Sequence, residues 1–169
     1  LGGVKYMVLT MEHRPSEEIL AWANKTTEKF PDKQVIVLIH EYCENNDKLV
    51  VPHGQRVWEK FVKKHRNIQF VFSGHVKGPG RLIKKGDYGN AIFQIGANYQ
   101  FDGNGGDGFL RLLRFYPKNK KIVVKTFTPH LNEYKTDQKN QFLIDLKSEK
   151  FLNEIFEKEI KKPKKQIKK

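Results

Sequence analysis

Three apolar segments alternate with two amphipathic ones in the first half of the chain. The apolar segments predict strands at 4–11, 35–39 and 68–72. Ser16 is predicted to cap a helix between the first two, and a second helix is predicted over 54–64. The order strand, helix, strand, helix, strand predicts parallel pairing through helical crossovers.

Short β-prone runs separated by glycines fill the second half of the chain. They predict antiparallel strands at 90–97, 109–116, 122–127 and 141–146, with a hairpin turn over 117–120. Ser148 is predicted to begin an amphipathic helix over 148–162, which Pro163 ends. We therefore predict an α/β protein with a parallel βαβαβ first half, an antiparallel second half and a C-terminal helix.

Two histidines stand at the ends of predicted buried strands. His40 follows the run 35–39, and His75 follows the run 68–72. Because the carboxyl ends of parallel strands meet at one edge of a sheet, both imidazoles are expected within reach of a common ion. A hydrogen-bonded structural role stays open for each. The other histidines lie in polar stretches and are interpreted as surface residues: His13, His53, His65 and His130.

Other polar motifs are weaker. The segment 103–108 has the spacing Gly-x-Gly-x-x-Gly but no βαβ context, and it lacks the ligands of a calcium loop, so a glycine-rich turn is expected. Arg111 and Arg114 are interpreted as basic residues on a solvated strand face, with phosphate binding as the alternative. Cys43, the single cysteine, is expected to be a buried, inert thiol.

The net charge of +13 would ordinarily suggest an acidic partner, but six lysines lie within the last nine residues. The segment 163–169 is therefore interpreted as a solvated, disordered basic tail. The alternative interpretation is that this tail attaches the chain to nucleic acid or to an anionic membrane. Of the possible partners, nucleic acid is not the one we expect. The sequence contains no apolar run long enough for a membrane span and no signal-peptide pattern. It begins without Met, which suggests a truncated or processed start, so the compartment stays open.

The segments around the two histidines resemble the calcineurin-like metallophosphoesterases. The resemblance is carried by Val-Ile-Val-Leu-Ile-His-Glu-Tyr at 35–42, by Gly-Gln-Arg-Val-Trp-Glu-Lys-Phe-Val at 54–62 and by Phe-Ser-Gly-His-Val at 72–76. Asn-Tyr-Gln at 98–100 and Gly-Phe-Leu-Arg at 108–111 are similar to C-terminal strands of a bacterial-type subgroup. The resemblance covers about 6–146.

This resemblance implies part of a four-layer αββα sandwich, with 1–147 as the C-terminal half of the domain. The complete family site holds two divalent metal ions, such as Mn, Fe or Zn, that bind and activate a phosphoester. His40 matches the fourth family motif and His75 the fifth, Gly-His-x-His, so both are implied metal ligands. Lys77 stands where that motif has its last histidine. A lysine cation is a poor ligand, so Lys77 is either a lost ligand or an anion contact.

Two functions stay open. The family's first three motifs are absent from this chain, so at most one partial metal site is expected, and the catalytic residues are unknown. In the first hypothesis, the chain is the C-terminal portion of a phosphoesterase that a missing N-terminal half completes, with a substrate of unknown identity. In the second, it is a non-catalytic binding or scaffold module. The segments 41–52 and 78–89 are the candidate substrate loops, and an unpaired sheet edge is expected.

Overall fold

A computed structural model describes residues 3–153, which form two five-stranded sheets and two helices of more than one turn. The first sheet has the order β1-β2-β3-β5-β4, and β1, β2, β3 and β5 run parallel. Its strands are β1 (Tyr6–Thr10), β2 (Gln34–Ile39), β3 (Ile68–Ser73), β4 (Gly78–Lys85) and β5 (Ala91–Asn98). The predicted parallel pairing of 4–11, 35–39 and 68–72 is confirmed. The segment 90–97 was predicted as a strand of the antiparallel half, but it forms β5 of this sheet and runs parallel to β3.

The second sheet is antiparallel and has the order β10-β9-β7-β6, with β8 also paired to β7. Its strands are β6 (Leu110–Tyr116), β7 (Lys121–Thr128), β8 (Glu133–Lys135), β9 (Phe142–Asp145) and β10 (Lys150–Leu152). A 3₁₀ turn over Pro117–Asn119 joins β6 to β7, as the hairpin pattern predicts. Gly103–Gly106 form a short turn with left-handed residues inside it, so the glycine-rich turn is also confirmed.

The two helices are α1 (Glu17–Glu28) and α2 (His53–Lys60). Ser16 caps α1, since its hydroxyl accepts a hydrogen bond of 3.2 Å from the Ile19 N–H. Both helices pack on the outer face of the first sheet, where Leu20, Trp58 and Val37 share one apolar cluster. A second cluster, with Phe70, Ile122 and Phe142 among its members, fills the space between the two sheets. Alternate residues of β2 belong to each cluster, which is why this strand is apolar throughout.

The C-terminal part of the predicted fold needs correction. Ser148 does not begin a helix, because Lys150–Leu152 form strand β10, which pairs antiparallel with β9. The Phe151 ring packs against the rings of Phe93 and Phe142 at 5.8 and 5.4 Å. Packing of the Phe151 ring between the sheets therefore favours a strand here, although the apolar residues of this segment recur at helical spacing. The domain therefore extends past the predicted boundary at 147, and both the rest of the predicted helix and the tail 163–169 lie outside the described residues.

Both helices lie on one side of the pair of sheets. The α/β class is confirmed, and within residues 3–153 both helices of more than one turn lie against the first sheet, which gives the layer order helix, sheet, sheet. The longest helix described, α1, has 12 residues, and no described helix has the length and hydrophobicity to cross a bilayer.

One side of the sandwich is open. β1 and β6 end their sheets on the same side, where the rings of Tyr6 and Phe115 lie 6.0 Å apart. No strand of the described residues pairs with the outer edge of β1, as expected from the sequence. Val8 on β1 and Leu112 on β6 are 57% and 45% exposed. These two edges are surfaces on which further strands can add.

The loop 41–52 is held tightly against the first sheet, although its sequence predicted a polar loop. Glu41, Tyr42 and Cys43 are buried, and the Tyr42 hydroxyl donates to Gln94 Oε1 at 2.6 Å. The loop backbone crosses Gly80 of β4 so closely that a Cβ there would lie 2.0 Å from the Glu44 carbonyl oxygen. Glycine at this position therefore fixes the path of the loop.

We expect the Gly80→Ala substitution to lower the free energy of unfolding by about 1–3 kcal/mol, because the Glu44 backbone must move away. Urea denaturation followed by circular dichroism measures this change. Gly74→Ala is the matched control, since a Cβ at Gly74 would lie 3.7 Å from its nearest neighbour. Equal losses in both variants would contradict the close approach of the loop.

Candidate metal centre

The parallel register brings three histidines to one edge of the first sheet. Thr10 pairs with Leu38, and Ile39 pairs with Ser73, so the residues after β1, β2 and β3 emerge side by side. The ring centroids of His13 and His40 lie 5.3 Å apart, those of His13 and His75 5.1 Å, and those of His40 and His75 4.9 Å. All three rings therefore face a common space.

His40 and His75 meet through their ring nitrogens. Nδ1 of His75 lies 3.1 Å from Nε2 of His40. The Gly74 N–H donates to the His40 carbonyl at 3.0 Å, and the Asn98 amide donates to the His75 carbonyl at 2.6 Å. These backbone contacts hold His75 at a φ of 57°, which is uncommon for a residue other than glycine. The two sequence-predicted ligands are thus brought together, and their backbone is fixed on both sides.

A buried carboxylate, Glu41, completes the cluster. Its side chain is 8% exposed. Oε2 lies 3.2 Å from His13 Nε2, and Oε1 lies 3.8 Å from His75 Nε2. Ligand atoms of His13, Glu41 and His75 all fall within 4.8 Å of one another. Imidazole and carboxylate are the donors that divalent transition metals prefer in proteins, so this group has the chemistry of a metal site.

Arg14 keeps Glu41 ionised. Its Nε donates to Glu41 Oε2 at 2.6 Å, and Nη2 donates to Oε1 at 3.3 Å. The Arg14 hydrogen bonds lower the pKa of the Glu41 carboxyl to about 2, against the smaller opposing effect of burial. At neutral pH Glu41 is therefore a carboxylate, which accepts hydrogen bonds or binds a cation.

His13 and Glu41 belong to the cluster but were not predicted from the sequence. His13 was interpreted as a surface residue; its side chain is 43% exposed, but it faces the cluster. Like His40 and His75, His13 follows a parallel strand by only a few residues, and this position is the signal that could have indicated it. Glu41 follows His40 directly, but nothing in the sequence shows that it turns inward.

Lys77 is exposed, and within residues 3–153 it is assigned no ion pair. The candidate substrate loop 78–89 is mostly strand β4. Its turn lies at the far end of the sheet, because Lys85 pairs with Ala91 at the amino end of β5. The loop 41–52 adjoins the cluster through Glu41, and of 78–89 the start of β4 lies at this end, where Gly78 pairs with Asn98. The open depression beside His40 is lined by residues at the ends of the parallel strands, among them Met11, Phe72 and Gly74.

Two predicted surface residues are interior ones. Arg111 does not lie on a solvated face, because its guanidinium reaches between the sheets and donates to the Tyr99 hydroxyl at 2.8 Å and to the Lys139 carbonyl at 3.1 Å. Arg114 is exposed, as predicted. His65 is buried and pairs with Asn24 Oδ1 at 2.7 Å, and burial lowers its pKa. His130 is exposed and His53 is half-buried.

Cys43 is buried, as expected, and burial raises the pKa of its thiol to about 12. The protonated thiol is a poor nucleophile and a poor metal ligand at neutral pH. Apart from the depression beside His40, a cavity of about 440 Å³ opens between the sheets at the amino ends of the parallel strands, where Tyr6, Gln34 and Gln69 line it. It is at the opposite end from the histidines and contains no comparable group of ligands. The chemistry of the described residues is therefore concentrated at the histidine cluster.

Comparison with known proteins gives one curated relative. The chain is 31% identical over 157 residues to an uncharacterized protein, YvnB, of Bacillus subtilis strain 168. The match covers 86% of this chain but 12% of YvnB, so the chain spans about one eighth of that relative's length. No protein-family model matches the chain. The chain is thus similar to one segment of a much longer protein.

We expect the Arg14→Gln substitution to raise the pKa of Glu41 toward its ordinary value, because the two charged hydrogen bonds are lost. In the native chain, the contribution of Glu41 to stability is present above the ordinary carboxyl pKa of 4.5 and is lost as the pH falls toward about 2. The variant should lose most of that pH dependence.

Carbon-13 NMR titration of the Glu41 carboxyl and acid unfolding measure the two effects. Arg56→Gln is the control, since Arg56 pairs with Glu17 instead. An unchanged Glu41 titration in Arg14→Gln would show that Arg14 is not what keeps this carboxyl ionised.

Proposed function

We propose that this chain is the C-terminal portion of a calcineurin-like, metal-dependent phosphoesterase domain. The observation that carries the proposal is the distance of 3.1 Å between His40 Nε2 and His75 Nδ1, at the carboxyl ends of neighbouring parallel strands. Two ligand nitrogens of one tetrahedral zinc ion, each about 2.0–2.1 Å from the metal, lie about 3.3 Å apart. The pair therefore fits two adjacent positions around one ion.

A divalent ion held by His40 and His75 would supply Lewis-acid polarisation of a phosphoryl oxygen and would activate water as the nucleophile. The chain's own contribution is to orient the two imidazoles. Their backbone contacts to Gly74 and Asn98 do this. Glu41 Oε1 lies 3.8 Å from Nε2 on the far side of the His75 ring, so the carboxylate favours the tautomer with its proton on Nε2 and leaves Nδ1 free to bind the ion.

The complete two-metal site would need ligands from outside this chain. Two divalent ions bring four positive charges, but the described cluster offers one carboxylate, and Arg14 is already bound to it. Lys77 adds a further cation where the family places a histidine. We infer that the remaining acidic ligands are contributed by a segment that adds to the open side of the sandwich at β1. Such a segment would also provide the fourth, helical layer.

A non-catalytic binding or scaffold module is the alternative, and it is favoured by Lys77. A lysine at the position of a metal ligand supplies a positive charge without a metal ion, so it can contact a phosphate group directly. In this version the fold retains an anion site but not the hydrolytic chemistry. A phosphoester remains the substrate or ligand class in both cases.

The test compares the 169-residue chain with the same chain extended by its upstream coding sequence. We expect the longer protein to hydrolyse bis(p-nitrophenyl) phosphate or p-nitrophenyl phosphate with added Mn²⁺, and EDTA to abolish this activity. His40→Ala and His75→Ala should each reduce kcat/KM by about 100-fold or more, because each removes a metal ligand. The 169-residue chain should show negligible turnover.

His130→Ala is the control for loss of an exposed histidine away from the cluster. Chelator-sensitive turnover by the 169-residue chain would contradict the incomplete site. A longer protein that binds phosphate esters without hydrolysing them, and loses that binding in Lys77→Gln, would favour the binding module instead.

A further inference from the structure

His75 presents its two ring nitrogens to two different sets of ligands. Nδ1 faces His40 Nε2 at 3.1 Å, while Nε2 faces Glu41 Oε1 at 3.8 Å. The two nitrogens of one imidazole point away from each other, so both cannot bind the same ion. The ring nitrogen of His75 that carries the proton therefore decides which of two groups of side chains can hold a metal.

The second group is formed wholly by this chain. His13 Nε2 lies 3.2 Å from Glu41 Oε2, and ligand atoms of His13, Glu41 and His75 lie within 4.8 Å of one another. The His13 and His75 side chains are 43% and 44% exposed, so both rings have room to turn toward an ion. Glu41 is buried and fixed, and it would anchor the site.

We propose that His13, Glu41 and Nε2 of His75 form a metal site that this chain completes without any outside segment. Two imidazoles and one carboxylate are a donor set that binds Zn²⁺ or Fe²⁺ while leaving positions open for water or a small ligand. The site does not depend on phosphoesterase activity. It shares His75 with the proposed phosphoesterase pair. The two sites need opposite tautomers of His75, because this site binds the ion at Nε2 and the pair binds it at Nδ1.

His40 has a different role in this site. If Nε2 of His75 binds the ion, Nδ1 carries the proton and donates a hydrogen bond to His40 Nε2, which lies 3.1 Å away. Metal-binding histidines ordinarily donate their second N–H to a nearby acceptor, which fixes the ring. His40 is then a positioning residue, whereas in the phosphoesterase pair it is a ligand.

Arg14 does not block the carboxylate. It uses one lone pair on each Glu41 oxygen, and a carboxylate has about four such sites. Hydrogen bonds alone can also hold these side chains together without a metal ion, because Arg14 and His13 both hydrogen-bond to Glu41. The experiment must therefore distinguish a metal site from a purely hydrogen-bonded group.

The test is a titration of the tag-free 169-residue chain with Co²⁺ and Zn²⁺. We expect one equivalent of Co²⁺ to give a visible d–d absorption band, and Zn²⁺ to displace it. His13→Ala should weaken binding by about tenfold or more, since removing even outer contacts of a metal site costs about 10–100-fold. His40→Ala should retain the band at lower affinity. Nitrogen-15 NMR should place the metal on Nε2 of His75, and circular dichroism checks that each variant is folded.

His130→Ala is the matched control and should bind as the native chain does. If His13→Ala binds normally and the metal is on Nδ1 of His75, the inference is overturned while the phosphoesterase pair stands. If the chain binds no Co²⁺ or Zn²⁺, the inference is also overturned, because the cluster is then only hydrogen-bonded. The phosphoesterase proposal has a separate test, the turnover of the longer protein, in which an added segment would supply further ligands.

Discussion

The parallel register of β1, β2 and β3 is the constraint on which the candidate site depends. The main-chain hydrogen bonds that pair Thr10 with Leu38 and Ile39 with Ser73 place three strand ends at one edge of the sheet. A slip of one residue would turn every side chain of a strand to the opposite face, and in β2 it would place His40 or Gln34 at the buried position of Ile39 or Val35. Burial on both faces of β2 therefore fixes the positions of His40 and His75 as well as the fold.

The loop after β2 adds the second constraint. Tyr42 hydrogen-bonds inside the protein to Gln94, and Gly80 lets the Glu44 backbone pass close over β4. These contacts turn Glu41 inward beneath the histidines. An ionised carboxylate in that position is stable because Arg14 lies against it. The electrostatics of the cluster thus depend on a loop that is held in place by packing some distance from the histidines.

Much of this arrangement could be predicted from the sequence. Apolar runs on two-sided strands gave β2 and β3, and helical spacing with Ser16 as cap gave α1, because both signals come from burial and local hydrogen bonding. His40 and His75 followed from the topology. β10 could not be predicted, since Phe151 fits a helix pattern and packs between sheets only because Phe93 and Phe142 leave room for it. The inward turn of Glu41 and Arg111 likewise depends on partners far away in the chain.

Both metal proposals place a divalent ion at the histidine cluster, at the carboxyl ends of the parallel strands. Anomalous X-ray diffraction at the zinc absorption edge, from crystals of this chain grown with Zn²⁺, tests this most directly. We expect a single strong peak about 2.0–2.2 Å from a ring nitrogen of His75. The other contacts to the ion should come either from His40 or from Glu41 together with His13. Crystals at saturating Zn²⁺ with no peak among these four residues would contradict it.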